Sequence, residues 1–303
     1  MSFVHATVLL HETIDAIAPR SGGVYADVTL GGGGHAEGIL ERSSPDGVLI
    51  GIDRDPAALE ASRERLKRFG TRARIVHARM SDLGEVSRAE GFPLLDGVIA
   101  DLGVSSPQLD EAERGFSFGA SGPLDMRMDT TSGVTAKELI ASLDADELAN
   151  VIYEFGEERL SRRISRAIKF AEEAGELETT ADLRRAVHRG AGNHRGRIDP
   201  ATRTFQALRI AVNRELGELD DLITLVPDVL SDNGVAAIIS FHSLEDRRVK
   251  HRFRDDARME PLTKKPVLAT DEEQSANPRS RSAKLRAARR VPREPGETEG
   301  QAA

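Results

Sequence analysis

The stretch Asp27-Val-Thr-Leu-Gly-Gly-Gly-Gly-His35 decides the fold. Its first residues belong to a short apolar, β-branched run, Val24 to Leu30, and its last open a helical pattern that extends to Arg42. Strand, glycine loop and helix begin a βαβ unit, and consecutive glycines let the backbone approach a ligand closely at a helix N-terminus. Gly31-x-Gly33-x-x-Ala36 formally fits the dinucleotide pattern, although a plain glycine turn fits it as well. Working outward, Val48 to Ile52 reads as a second buried strand. Pro56 to Phe69 reads as a helix, with Pro56 at its first position and Asp55 as its cap. Ala73 to His77 and Gly97 to Ala100 read as two more strands. This alternation predicts parallel βαβ units with buried strands.

Carboxylates at the strand ends sharpen the ligand. Asp53 ends the second strand, about 20 residues beyond the loop, where an acid can accept both hydroxyls of a ribose. An Asp there also fits a helix cap, but Asp55 is better placed for that. Asp27 stands just before the glycines, where it would repel a pyrophosphate and welcome an amino group. Charge matching therefore favours S-adenosylmethionine, which has an ammonium and a sulfonium and no phosphate, over NAD. An internal hydrogen-bond network is the other use for Asp27. In doubly wound folds ligands sit beyond the carboxyl ends of the strands at the switch point. That places Asp101, Ser105, Ser106 and Gln108 beside the glycine loop. A strand Val235 to Phe241, after the turn Ser231-Asp-Asn-Gly234, delivers Ser240, Phe241, His242 and Ser243 to the same edge.

Between about Gln108 and Asp199 no strand is predicted. Thr135-Ala-Lys-Glu138 is a capping box, and Asp144 can cap a helix bearing Leu148, Val151, Ile152 and Phe155. Leu160, Ile164, Ala167, Ile168 and Ala171 follow a 3.6 period. Thr179 or Thr180 opens another helix, and Asp199-Pro200 starts one carrying Phe205, Leu208, Val212 and Leu216. The expected organisation is a discontinuous α/β domain, residues 1–108 and 210–291, interrupted by a helical domain, 109–209. Residues 262–281 read as a long loop, Ser282 to Val291 as a basic edge strand, and 292–303 as a disordered tail.

The 303 residues contain no Cys, which removes disulfides, Cys-ligated metals and thiolate nucleophiles. No apolar run approaches the about 18 residues of a membrane span, and the start, MSFVHATVLLHE, has no basic n-region. The expected compartment is the cytoplasm. Monomer and homodimer both remain open, and no spacing suggests a metal site. A net charge of −8 argues mildly against a nucleic-acid partner, but the distribution matters more. Arg184 to Arg214 holds eight arginines, two histidines and one acid, and Arg279 to Arg293 holds seven basic residues and no acid.

Taken in order, several segments resemble the bacterial 16S ribosomal RNA cytosine-N4 methyltransferases. They are His5 to Glu12, the glycine loop, Gly51 to Pro56, Asp101 to Phe118 (DLGVSSPQLDEAERGFSF), Gly122 to Asp129, Gly156 to Arg159, Ala201 to Asn213, Ile239 to Lys250 and Asn277 to Arg286. The likeness runs over nearly the whole chain, with little in Gly190 to Asp199 or past Pro292. It implies a Rossmann-like class I methyltransferase sheet with an inserted all-helical domain. The implied donor is S-adenosylmethionine, and the acceptor is a cytosine in the decoding region of the small subunit. By position, Gly33, Gly34 and His35 would touch the donor, with Asp53 on the ribose; Gly31 from the glycine pattern and Asp27 from the charge match complete the expected donor contacts. Met80, where members can carry Phe, would flank the adenine, with Asp101 and Gln108 nearby.

Methylation at carbon 5 of cytosine usually needs a cysteine thiolate, so a cysteine-free chain suits direct in-line attack by the exocyclic N4. The site must then supply position and acceptors for the amine hydrogens. Asp101 and the carbonyls of Leu102 to Ser105 are expected to line the amine, with Ser105 and His242 as further catalytic candidates. Phe116 or Phe118 is expected to stack on a base flipped out of its helix. Arg195, Arg197, Arg203, Arg209, Arg281 and Arg286 are the candidate RNA contacts. A dinucleotide oxidoreductase, a non-catalytic rRNA-binding assembly factor, and methylation of DNA or protein are the competing functions.

Overall fold

The computed structural model describes residues 7–192 and 199–293. In chain order its main elements begin with α1 Leu10–Ile17, β1 Val24–Asp27, α2 Gly34–Arg42, β2 Val48–Asp53, α3 Pro56–Leu66, β3 Ala73–His77, α4 Leu83–Ala89 and β4 Leu95–Asp101. Six helices follow: α5 Ser106–Asp110, α6 Ala136–Ser142, α7 Ala145–Gly156, α8 Ser161–Glu173, α9 Thr180–Ala191 and α10 Pro200–Asn213. The chain then returns to the sheet through α11 Glu215–Val229, β5 Leu230–Ser240, α12 Ser243–Asp255, β6 Met259–Pro261, α13 Asp271–Ala276 and β7 Lys284–Arg290. It divides into two compact units, 1–103 with 217–303 and 104–216.

The first unit is an α/β sheet of seven strands in the order β3-β2-β1-β4-β5-β7-β6. The first five run parallel, β7 is antiparallel to β5, and β6 is antiparallel to β7. The apolar runs of β2, β4 and β5 are continuous because both faces are covered. Successive residues feed opposite cores: Ile50, Ile52, Val98, Ala100, Ala236 and Ile238 join one, and Leu49, Ile99, Ala237 and Ile239 join the other. Strand order reverses between β1 and β4, so the carboxyl ends of β1, β2, β4 and β5 gather around one switch point.

Several elements depart from the sequence reading. The first strand stops at Asp27 instead of Leu30, yet Val28 N still donates to Ile99 O at 2.9 Å and Leu30 N to Ile52 O at 2.9 Å. The segment stays wedged between β2 and β4 while turning toward the glycines. Residues 231–234 form a bulge inside β5: Leu230 pairs with Leu95, Val235 with Gly97, and Asn233 takes φ 64°. The helix expected to reach Phe69 is α-helical only to Leu66 and then tightens into a 3-10 segment, with Gly70 at φ 56°. Helix α1 and strand β6 were not anticipated. The polar His11-Glu12 pair hides the period of Thr13, Ile14 and Ile17, which α1 buries, and β6 is only three residues long. Within 262–281, α13 and the 3-10 turn Pro278–Ser282 interrupt the loop. Arg293 is held by Asp232 at 2.8 Å, and the rest of the expected tail lies outside the described residues.

In the second unit Thr135, Asp144, Thr179 and Asp199 cap α6, α7, α9 and α10, each accepting from a backbone N–H of its helix's first turn. Its core includes Ile140, Leu148, Ile152, Ile164, Ile168, Leu183, Val187, Phe205 and Leu208. Among its described residues the only strand-like pairing is the bridge Pro123–Thr179. Helix α10 packs against α7 and α9, so this unit extends beyond it to Leu216.

Candidate active site

The glycine loop is shaped by backbone conformation and tied down by one carboxylate. Gly31 (φ 50°) and Gly33 (φ 76°) lie in the left-handed region that L side chains rarely adopt. Gly31 has open space where a Cβ would stand, with only Thr29 O at 3.8 Å. A Cβ on Gly34 would collide with Thr7 Oγ1 at 1.8 Å. Gly31 N donates to Asp53 Oδ2 at 2.7 Å, and Asp55 N donates to Asp53 Oδ1 at 2.8 Å. Asp55 caps α3 as expected, accepting from Ala57 N at 3.0 Å. Asp53 thus fixes the loop from the end of β2, and each of its oxygens keeps a lone pair for a ligand hydroxyl.

Four carboxylates line this edge of the first unit. Asp27 is 1% exposed at the end of β1. Its Oδ1 accepts from Thr29 N at 3.2 Å, while its buried Oδ2 has no hydrogen-bond partner. Burial first, and the Asp53 charge to a smaller extent, push the Asp27 carboxyl up to about 7. Asp101, ending β4, is anchored by its backbone N–H, which donates to Thr29 Oγ1 at 2.6 Å. Its buried Oδ1 is also without a partner. Burial, then the charges of Asp27 and Glu245, hold the Asp101 carboxyl well above the usual range. Burial raises Asp53 too, against the pull of its backbone hydrogen bonds.

Glu245, the fourth, was not singled out from the sequence, where it reads as an ordinary N3 acid of a capping box. It is 2% exposed, and its Oε2 accepts from Phe241 N at 2.8 Å and His242 N at 3.3 Å. That closes the turn from β5 into α12 and places a second negative charge against Asp101. His242 caps α12 with Nε2 3.1 Å from Glu245 Oε1, an ion-pair distance without hydrogen-bond alignment. His35 is buried in α2, with Nε2 3.0 Å from Val8 O. A carbonyl only accepts, so Nε2 carries the proton, and Nδ1 lies 4.0 Å from Asp101 Oδ2. Phe241, half-buried, packs 3.5 Å from where a Gly103 side chain would begin. Met80 starts the 3-10 turn after β3 and is partly buried against the core.

The edge thus brings together Asp27, Gly31, Gly33, Gly34, His35, Asp53, Asp101 and His242. Ser105 and Gln108 belong to the helical unit. Their polar groups close a reciprocal box at α5: Ser105 N donates to Gln108 Oε1 at 2.9 Å, and Gln108 N to Ser105 Oγ at 3.5 Å. That reciprocal bonding gives Ser105 a structural use as the cap of α5. The two stacking candidates are corrected as well. Phe116 is 6% exposed in the helical core, and Phe118 packs edge-on against Phe205 with centroids 5.0 Å apart.

The arginine candidates divide. Arg195 and Arg197 lie outside the described residues. Arg209 forms a bidentate pair with Glu215, both bonds 2.8 Å, and is 16% exposed. Arg286 points to Asp246 on α12 at 2.7 Å and is 11% exposed. Both are structural ion pairs inside their units, which corrects their assignment as phosphate contacts. Arg203 is half-exposed, 3.4 Å from Glu158, and Arg281 is exposed.

Two buried carboxylate oxygens without partners at the ends of neighbouring strands, Asp27 Oδ2 and Asp101 Oδ1, are costly unless a cation or donor reaches them. Together with the open backbone at Gly31 and the ribose-ready Asp53, they fit a nucleoside bearing an ammonium and a sulfonium. They do not fit a pyrophosphate. No helix among the described residues is long and apolar enough to cross a membrane.

The comparisons with known proteins agree with this chemistry. A model described as the MraW methylase family matches residues 2–291. The chain is 57% identical over 288 residues to a protein of Sorangium cellulosum named ribosomal RNA small subunit methyltransferase H, covering 95% of this chain and 91% of that one. Proteins of the same name from Trichlorobacter lovleyi and Synechococcus elongatus are 49% and 50% identical, over 95% and 96% of this chain and 99% and 96% of theirs. The chain belongs to the MraW methylase family.

Proposed function

We propose that this methylase, with S-adenosylmethionine as its donor, methylates the exocyclic N4 of a cytosine in the decoding region of 16S ribosomal RNA. Small-subunit ribosomal RNA as the substrate follows the names of relatives about half identical over nearly the full length, and the cytosine N4 follows the resemblance of the motifs. The observation that carries the chemistry is the pair of unpartnered buried oxygens, Asp27 Oδ2 and Asp101 Oδ1, at the switch point between β1 and β4. When bound, the donor supplies an electrophilic methyl group on a sulfonium sulfur.

The residues of the sheet unit divide the work. Asp27 and Asp101 counter the positive charges of the donor, and those charges in turn favour the ionised carboxylates that burial disfavours. Asp53 accepts from the ribose hydroxyls while keeping the loop in place through Gly31. Met80 packs on the adenine, where a polarisable thioether suits a purine face. Gly31 and Gly33 give the backbone its close approach. On the acceptor side, Asp101 Oδ1 accepts from the amine hydrogens, which localises the N4 lone pair and offsets the positive charge that develops on nitrogen. The His35 ring lies beside Asp101, with Nδ1 4.0 Å from Oδ2, and the charge of Glu245 repels the Asp101 carboxylate. Phe241, rather than Phe116 or Phe118, is the aromatic that flanks the flipped base. With no cysteine in the chain, transfer is direct and has no thiolate-bound intermediate.

Asp101→Asn separates the two roles of that residue. Donor affinity by calorimetry is expected to fall less than about tenfold, because Asp27 remains. Methyl transfer to small subunits is expected to fall about 100-fold or more, the scale of one lost transition-state hydrogen-bonding group. Full transfer by Asp101→Asn with unchanged donor affinity would remove Asp101 from the amine site.

A further inference from the structure

We propose that the outer face of α8, from a cleft at Tyr153 to Phe170, is a platform for single-stranded RNA; this rests on the RNA substrate proposed above. Helix α8 buries Ser161, Ile164, Ser165, Ile168 and Ala171. Arg163, Arg166 and Phe170, spaced i, i+3 and i+7, share its exposed side and span about 10 Å at about 1.5 Å per residue. A cleft of about 490 Å³ opens between the end of α7 and the start of α8, lined in part by Tyr153, Arg159 and Arg163. Arg163 therefore belongs to both the cleft and the stripe, and joins them into one surface.

Two features of this surface point to RNA. Tyr153 is 59% exposed and Phe170 is 63% exposed, two of the few large apolar side chains so open to water. The Arg189 guanidinium of α9 lies 5.9 Å from the Phe170 ring centroid. Arg159, Arg163, Arg166 and Arg189 have no carboxylate within 4 Å among the described residues. Neighbouring arginines do, as in Arg162 with Asp146, Arg184 with Asp199 and Arg185 with Asp182. An acidic chain that pairs its other arginines here and leaves these four open presents a local positive track. Exposed aromatics interleaved with such a track stack unpaired bases while the cations follow the phosphates. Duplex RNA, recognised by shape and backbone, would leave the rings unused. Glu154 is the acid among the cleft residues, so a base rather than a phosphate is assigned to the Tyr153 end.

The test uses the full chain and a fluorescein-labelled 12-nucleotide single-stranded RNA in anisotropy titrations across salt. Arg163→Gln/Arg166→Gln is expected to weaken binding about tenfold or more and to lower the log–log salt slope by about 1.4, at about 0.7 per phosphate contact on single strands. Phe170→Ala and Tyr153→Ala are each expected to weaken binding about tenfold with the slope unchanged, as lost stacking does. The control Arg63→Gln/Arg88→Gln removes the same charge from exposed positions of the sheet unit, and is expected to change binding less than twofold. Equal losses in control and test pairs would overturn the platform, as would α8 variants that bind like the unmodified chain. The platform also fails if the unmodified chain methylates small subunits but ignores the oligonucleotide, or if the α8 variants lose only the assembled subunit, which would assign the face to a ribosomal protein. In those cases the methylation reading stands. A chain that binds the oligonucleotide but neither binds donor nor modifies subunits would overturn the methylation reading instead.

Discussion

Replacing Asp27 by Asn should stabilise the free protein and disable it. The Asp27 carboxyl is raised from 3.8 to about 7, chiefly by burial. With a folded value above the unfolded one, its favourable contribution is complete below pH 3.8 and is lost as pH rises through about 7. About three units at about 1.4 kcal/mol each amount to about 4 kcal/mol lost by pH 8. Asparagine carries no charge to desolvate, and its Oδ1 can keep the bond from Thr29 N. Allowing for imperfect repacking, Asp27→Asn is expected to gain about 2–4 kcal/mol at pH 8 and almost nothing near pH 4. At about 2–4 °C per kcal/mol for a unit of this size, Tm at pH 8 rises by about 4–16 °C. The chain has no Trp and only two Tyr, so emission from Tyr25, 1% exposed in β1, follows the sheet unit directly. The same variant should bind S-adenosylmethionine at least about 100-fold more weakly, having lost a buried charge partner. Destabilisation of equal size at pH 5 and pH 8, or donor affinity equal to that of the unmodified chain, would refute the electrostatic role of Asp27.

Three further outcomes follow from the same geometry. Donor affinity should decline as pH falls below about 7, by up to about tenfold per unit, with release of about one proton on binding that calorimetry in buffers of different ionisation enthalpy will detect; a flat profile from pH 5 to pH 8 would contradict it. Asp53→Ala should cost about 10- to 100-fold in donor affinity, because it frees Gly31 N as well as removing the ribose acceptor; a change under twofold would show that the loop stands without it. Arg209→Met should destabilise the helical unit by about 3–5 kcal/mol in urea unfolding, because Glu215 is left buried and unpaired, while the salt slope of RNA binding stays the same; the reverse pattern would restore Arg209 as a phosphate contact.

The sheet was legible because its information is local. Val48 to Ile52 and Ala73 to His77 carry β-branched runs bounded by turn residues, and the glycines between a strand and a helix have few other uses. The acids at the strand ends were legible for the same reason: Asp27, Asp53 and Asp101 each terminate a run whose direction the pattern already gives. Glu245 was not, because an acid at N3 of a helix is common and only burial against Asp101 distinguishes it. The arginines misled because density along a sequence does not specify a side of an element. Arg209 turns inward to Glu215, and Arg286 lies on the strand face that meets Asp246, while the open arginines of α8 are interleaved with core residues in a stretch, 159–169, that reads as an amphipathic helix. The aromatics misled likewise. Phe116 sits in the most distinctive motif of the chain, yet the helical core needs it, and the ring at the sheet edge is Phe241.

The central claim is methyl transfer from S-adenosylmethionine to one N4 position. The direct measurement incubates the protein with isotopically labelled donor and small ribosomal subunits lacking the modification, then locates the label by mass spectrometry of nuclease fragments. N4-methylcytidine at a single decoding-region cytosine is the expected result. Label on carbon 5, on another nucleotide or on ribosomal protein would contradict it, as would tight donor binding with no transfer to either mature or immature subunits.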